Sequence, residues 1–187
     1  TQSAMYIPMA AQGRPIGIIQ IKSYLPNRFI ESEGELMMLV GNTAAIVIQN
    51  ASLFDDLQIS NHQVMTAYDA TIEGWARALE LRDQITEGHT RRVAELSVKL
   101  GEKLGLSEEE LIQLRRGAQL HDIGKMGIPD NILLKPGPLT DDEWQIMRRH
   151  PVYAYEMLST IDYLKPALDI PYHHHEKWNG VGYPDGL

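Results

Sequence analysis

Apolar and polar positions fall into three regimes along the chain. Residues 5–9 (Met-Tyr-Ile-Pro-Met) and 16–21 (Ile-Gly-Ile-Ile-Gln-Ile) are short β-rich runs separated by the turn formers Gln12, Gly13, Arg14 and Pro15. They predict two strands, the first with Pro8 at an edge or bulge, the second buried. From Leu36 the period changes: Leu36, Leu39, Val40, Thr43, Ala44, Val47, Ala51, Phe54 and Leu57 recur at spacings of three and four, as a helix stripe does. Ser32, with Glu35 three residues on, offers that helix a capping box. No proline lies between Arg28 and Pro129, and the stripe continues through Val64, Ala67, Ile72, Trp75 and Leu79. One long helix, or two nearly continuous ones joined at the polar stretch 60–63, is expected.

Beyond Arg82 and Asp83 the pattern is helix after helix. Residues 87–104 carry Val93, Leu96, Val98 and Leu100 and close at Gly105. Ser107 with Glu110 is a second capping box, opening the helix that leads to His121 and Asp122. Residues 128–138 form a loop with three prolines. Thr140 with Glu143 is a third box, starting a helix that carries Trp144, Met147 and His150. Pro166 suits the first turn of a further helix, which Pro171 should kink or end, and residues 178–187 are a glycine-rich loop. The predicted fold is mainly α: an all-helical bundle preceded by a small α+β fragment and a long linking helix.

Composition narrows the chemistry. With 187 residues the chain holds one large or two small domains, and an apolar fraction of 43% is ample for a core. The absence of cysteine excludes disulfides, zinc–thiolate sites and thiol nucleophiles, and suits a cytoplasmic location. A net charge of −8 argues against a nucleic-acid polymer as partner. A small anion is still compatible, because bound cations and a few local residues such as Lys125, Lys135, Arg148, Arg149 and Lys177 can reverse the potential within one cleft. No apolar run reads as a membrane span and the start has no signal-peptide pattern, so no membrane segment is expected. Thr1, Gln2 and Ser3 run almost at once into a strand, which reads as a fragment of something longer.

Candidate chemistry centres on Gln119-Leu120-His121-Asp122-Ile123-Gly124-Lys125. His121 and Asp122 supply nitrogen and oxygen ligands, and the carboxylate has two oxygens with which to bridge two cations. If the segment is helical, His121, Asp122 and Lys125 share a face. Other histidines sit at stations around it: His89 in Gly88-His89-Thr90-Arg91-Arg92, His150 in Arg148-Arg149-His150-Pro151, and the triplet His173-His174-His175 before Glu176-Lys177-Trp178-Asn179-Gly180-Val181-Gly182-Tyr183-Pro184. With Ile128-Pro129-Asp130, Lys135-Pro136-Gly137 and Leu139-Thr140, these stations, in order and spacing, resemble the HD-GYP subgroup of the HD metal-dependent phosphohydrolases from about Leu81 to Leu187. Two strands, a loop with Phe29 and a helix ending in Ile48-Gln49-Asn50-Ala51 resemble the C-terminal part of a GAF sensor domain.

The resemblance implies a division into residues 1–57 (GAF-like fragment), 58–82 (linker helix) and 83–187 (hydrolase domain, C-terminally incomplete). It implies a binuclear metal site with His89, His121, Asp122, His150, His174 and His175 as ligands, Asp122 bridging, with His173 plus His174 as the alternative pair. Imidazole and carboxylate ligands suit Fe or Mn, with Ni or Zn next, and not Mg or Ca. Asp122 and Lys125 would be the catalytic residues, and Lys125, Gly182, Tyr183 and Pro184 would meet substrate. Some relatives add a third metal through a Glu four residues before the first histidine; here that position is Ile85, and Glu87 points to another face, so two metals are expected. The family's Trp-Asp-Gly reads Trp178-Asn179-Gly180, and its later Asp ligand would lie beyond Leu187.

Two function classes follow. The first is an enzyme hydrolysing cyclic di-GMP to linear pGpG, which some family members carry on to GMP, controlled by the sensor part and dimeric through the linker helix. The second is a module without turnover, serving as a regulated interaction surface with a protein partner at the Gly-Tyr-Pro loop. An HD hydrolase acting on another nucleotide is a third option.

Overall fold

The computed structural model describes residues 1–83 and 88–187. It divides into two compact units, Thr1–Met65 and Thr66–Leu187. The helix α1 (Glu31–Asp83) contributes to both.

In the first unit, β1 (Ser3–Ala11) and β2 (Arg14–Ser23) form an antiparallel hairpin with Ile7 opposite Ile19. Gln12 and Gly13, both at positive φ, make the two-residue turn that fits the right-handed twist of such a pair. The register shifts between Met9 and Ala10, next to Pro8, where the ladder has no N–H to use. Ile7 and Ala45 are fully buried, so α1 meets the hairpin through its small-residue face. The predicted apolar stripe is elsewhere: Leu36, Leu39, Val40, Val47, Phe54 and Leu57 are 45–66% exposed.

The start of α1 differs from expectation. The helix begins at Glu31, and the N–H of Ile30 donates to Glu33, which also pairs with Arg28. Glu33, and not Glu35, is three residues from the first helical carbonyl acceptor, so it takes the reciprocal capping position and Ser32 falls inside the helix. By length and composition alone α1 could cross a membrane: an 18-residue window has a mean hydropathy of 1.4. Residues 36–54 carry no charge, although Asn42, Thr43, Gln49 and Asn50 interrupt the apolar run.

The second unit is helical. Ile72, Ala76 and Leu79 of α1 are buried, and Ile72 joins Leu120, Ile123, Ala154, Leu158, Leu164 and Leu168 in the core. Arg116, 7% exposed, is held by Asp69 at 2.9 Å and lies over the Tyr163 ring at 4.2 Å, which compensates its charge where water cannot. α2 (His89–Leu104) ends at Gly105 in the left-handed region. α3 (Glu108–Leu120) and α5 (Asp141–Met147) open with the capping boxes Ser107/Glu110 and Thr140/Glu143. α4 (Asp130–Leu133) is a single turn.

Two predicted helices are reshaped. The helix expected to run from Thr140 through His150 is two, α5 and α6 (His150–Leu158), because Pro151 has no N–H to continue the ladder across Arg148 and Arg149. The helix expected after Pro166 is a 3-10 turn (Asp162–Ala167) followed by the short α7 (Asp169–His173). Pro171 neither kinks nor ends α7; it sits in the first turn, where an N–H would have no partner.

Candidate metal centre

α3 ends at Leu120, and Asp122 (φ −96°, ψ 1°) leads into a 3-10 turn, Ile123–Gly127. His121, Asp122 and Lys125 therefore do not share an α-helical face as expected. The 3-10 geometry eclipses residues three apart, and it brings the Lys125 ammonium within 3.0 Å of Asp122 Oδ2. Gly124 makes this turn fit. A Cβ there would lie 1.8 Å from the carbonyl oxygen of His150 and 2.6 Å from the nitrogen of Ala154, so glycine alone lets the turn rest on the backbone of α6.

Three histidines are aimed in the same way. His121 Nδ1 donates to the Ala118 carbonyl (2.7 Å), His150 Nδ1 to Met147 (2.9 Å) and His174 Nδ1 to Pro171 (3.0 Å), each three residues back. A carbonyl only accepts, so each Nδ1 carries a proton, which at His150 and His174 leaves the lone pair on Nε2. His121 Nε2 instead faces the Asp122 carboxylate, which favours a proton there and raises the His121 pKa despite burial. For His150 the acceptor exists because Pro151 cannot use the carbonyl four residues before it. His150 Nε2 and His174 Nε2 stand 3.2 Å apart, with Asp122 Oδ1 at 3.5 Å and 3.8 Å from them. Asp122 Oδ2 faces the other way, 3.2 Å from His121 Nε2. Among the described residues, Asp122, His150, His174 and His175 bring ligand atoms within 4.8 Å of one another. The His89 ring lies 6.1 Å from that of His121 between centroids and is not among those four residues.

The protonation pattern suits a cation. Burial pushes His174 down to about 3 and His175 to about 4, reinforced by their imidazole neighbours, and lowers His150. Asp122 is buried, yet hydrogen bonding and charge from His121 and Lys125 override burial and hold its carboxyl far below the usual range. Burial would lower Lys125, but Asp122 and Asp83 raise it, so it is an ammonium at neutral pH. Two lone pairs face each other beside a carboxylate in a site that resists protonation. That donor set fits a divalent first-row metal.

A cleft of about 550 Å³ opens over these groups, with Trp144, Arg148, Lys177 and Tyr183 on its walls. The Tyr183 ring stacks on His175 (4.6 Å, 21°), with the Arg148 guanidinium 5.6 Å from its centroid. Gly182 lets the loop lie on the backbone of Glu176 and Lys177, where a Cβ would come within 2.5 Å. Glu176 fastens the loop's far end by accepting from the N–H groups of Asp185, Gly186 and Leu187. The peptide before Pro184 is cis.

His173 is turned away, its Nε2 3.3 Å from Asp185. Asn179 Oδ1 accepts from the Val181 N–H, a local turn contact. Lys135 pairs with Glu143 and Arg149 lies over Tyr153, so of the five candidate local cations Lys125, Arg148 and Lys177 line the cleft. Ile85 and Glu87 lie outside the described residues. Sequence reading missed Asp83, 9% exposed, which holds Lys125 Nζ at 2.9 Å. The available signal was an acidic residue next to Arg82 at the end of an apolar stripe.

Comparison with known proteins adds three findings. A family profile described as HD domain matches residues 74–187. The chain is 36% identical over 184 residues to a cyclic di-GMP phosphodiesterase response regulator, RpfG, of Xanthomonas campestris, covering 96% of this chain and 49% of that protein. It is 46% identical over 110 residues to a cyclic di-GMP phosphodiesterase of Thermotoga maritima (58% and 30%) and 35% identical over 159 residues to a 3'3'-cGAMP-specific phosphodiesterase of Vibrio cholerae (84% and 29%). The chain thus spans about half the length, or less, of these curated relatives.

Proposed function

From the premise that this chain belongs to the HD-domain family, we propose that it is the hydrolase part of an HD-GYP phosphodiesterase that opens cyclic di-GMP, with pGpG or GMP as the end product. The observation that carries this reading is the split of Asp122, one oxygen toward His150 and His174, the other toward His121. A carboxylate so divided could serve both of two cations, Fe or Mn first and Ni or Zn next, which His89 and His121 would hold on one side and His150, His174 and His175 on the other.

Bound there, the metal pair supplies Lewis acidity and a nucleophile at neutral pH. The protein's own groups do the rest. The neutral imidazoles keep their lone pairs available because burial disfavours protonation. Lys125, anchored by Asp83, offers its ammonium to a phosphoryl oxygen and balances charge that builds there. Tyr183, braced on His175, and the loop of Gly182 and Pro184 form one wall of the pocket. Trp144 presents a flat face on which a purine can stack, and Arg148 and Lys177 give a locally positive rim to a chain of net charge −8.

Residues 1–57 are read as the end of a GAF-like sensor, 58–82 as linker helix and 83–187 as the hydrolase domain. The exposed stripe of α1 is the surface we assign to pairing in a cytoplasmic homodimer, and the Gly-Tyr-Pro loop to a protein partner. The relative named as 3'3'-cGAMP-specific favours a second substrate reading, a cyclic dinucleotide with one adenine. Chromatography of products from equimolar cyclic di-GMP and 3'3'-cGAMP decides: preferential appearance of pGpG or GMP is expected. Exclusive consumption of the mixed dinucleotide would transfer the site to the second substrate, and turnover of neither would sink the enzyme reading.

A further inference from the structure

We infer that Arg82, in the last turn of α1, is a positioning residue for Lys125; this rests on the proposed role of Lys125 in phosphodiester hydrolysis. The guanidinium directs Nη1 to the carbonyls of Lys125 (3.1 Å) and Met126 (2.8 Å). Nη2 donates to the Ile128 carbonyl (2.7 Å) and to Asp130 Oδ1 (2.8 Å), and Nε to the same carboxylate oxygen (3.2 Å). The next residue, Asp83, takes the Lys125 ammonium. One helical turn therefore grips Lys125 at both ends, backbone carbonyl and Nζ.

This grip needs a guanidinium. Three carbonyls and a carboxylate spread around a turn call for several donors in a rigid plane, which a lysine ammonium cannot match. It also gives α1 a direct hold on the cleft. At the two ends of the 3-10 turn, Lys125 N–H donates to the Asp122 carbonyl and Ile128 N–H to the Lys125 carbonyl. Arg82 adds a second donor to the Lys125 carbonyl and ties it to those of Met126 and Ile128, and so fixes where the Lys125 backbone starts. A shift of the helix end would move the lysine relative to Asp122.

The test compares Arg82→Ala, Arg82→Lys, Lys125→Ala and the Arg82→Ala/Lys125→Ala pair in the metal-loaded full-length protein. With cyclic di-GMP, Arg82→Ala should lower kcat about ten- to a hundredfold, the scale of a 1 Å misplacement, with KM and metal content unchanged. Arg82→Lys should recover only part of the loss, and added guanidinium ion should restore some activity to Arg82→Ala. On the Lys125→Ala background the second change should alter kcat less than about twofold, because the group it positions is gone. A full additional loss in the pair, or metal loss in Arg82→Ala, would make Arg82 mere fold support and overturn the inference. A second readout needs no turnover: acetylation of Lys125 by acetic anhydride, followed by mass spectrometry against exposed Lys99 and Lys103, should accelerate several-fold in Arg82→Ala. An unchanged rate refutes the positioning role. If the unaltered protein hydrolyses no cyclic di-GMP, the substrate reading fails while the acetylation result still decides on Arg82.

Discussion

Replacing Gly124 by Ala probes how the site is assembled without touching a ligand. The added Cβ would sit 1.8 Å from the His150 carbonyl oxygen, whereas ordinary contact begins about 3.4 Å away, so turn and helix must part by about 1.6 Å. The obstacle is backbone on both sides and cannot rotate away. Overpacking of this kind costs roughly 1–3 kcal/mol, which for a unit of this size is a fall in Tm of roughly 4–12 °C. The same displacement moves His150 from Asp122, and a shift near 1 Å can cost about a hundredfold in rate. Gly127→Ala is the control: its Cβ would meet the Tyr153 ring at 2.9 Å, a side chain able to give way. Metal per chain by mass spectrometry and thermal unfolding by circular dichroism should show Gly124→Ala losing metal and stability while Gly127→Ala keeps its metal. A Gly124→Ala protein with full metal content and an unchanged Tm would refute the close-approach argument.

Three further outcomes are expected. Lys125→Ala should keep its metals and lose most turnover; loss of metal would make Lys125 a support of the ligands, and unchanged kinetics would remove it from the site. Glu80, despite partial burial, has its pKa lowered by the N–H groups of Thr90 and Gly88 at the start of α2. A depressed carboxylate stabilises above its unfolded value of about 4.3 and loses that contribution as pH falls through the folded one. Glu80→Gln should therefore lower Tm at about pH 6 and converge with the parent near about pH 3; a constant gap would refute this. Gln63→Pro, costing α1 about 3 kcal/mol locally, should uncouple any sensor ligand from activity with metal retained, and survival of that control would reduce the helix to a tether.

Much of the candidate site was legible because the histidines and the aspartate that meet there come in short motifs whose residue types are chemically restricted. The capping boxes at Ser107 and Thr140 were legible because capping is settled within four residues. What escaped is what distance decides. Asp83 and Lys125 are 42 positions apart, and no local pattern says which acid a lysine will meet. Arg82 escaped for the same reason, its partners being backbone carbonyls without sequence identity. The break at Arg148 was written in Pro151, but its consequence, a carbonyl released to orient His150, needs the fold to be seen. The exposure of the stripe from Leu36 to Leu57 could not be read at all, since periodicity marks a helix face without naming what covers it.

Asp122 is proposed to join two metal sites in a cyclic di-GMP hydrolase. Metal content and cyclic di-GMP turnover, measured on one sample of the full-length protein and on Asp122→Ala prepared in parallel, test it most directly. The parent should hold about two ions per chain and produce pGpG, and the variant should lose at least one ion and all turnover. Full occupancy in Asp122→Ala, or turnover that survives removal of every metal, would contradict it.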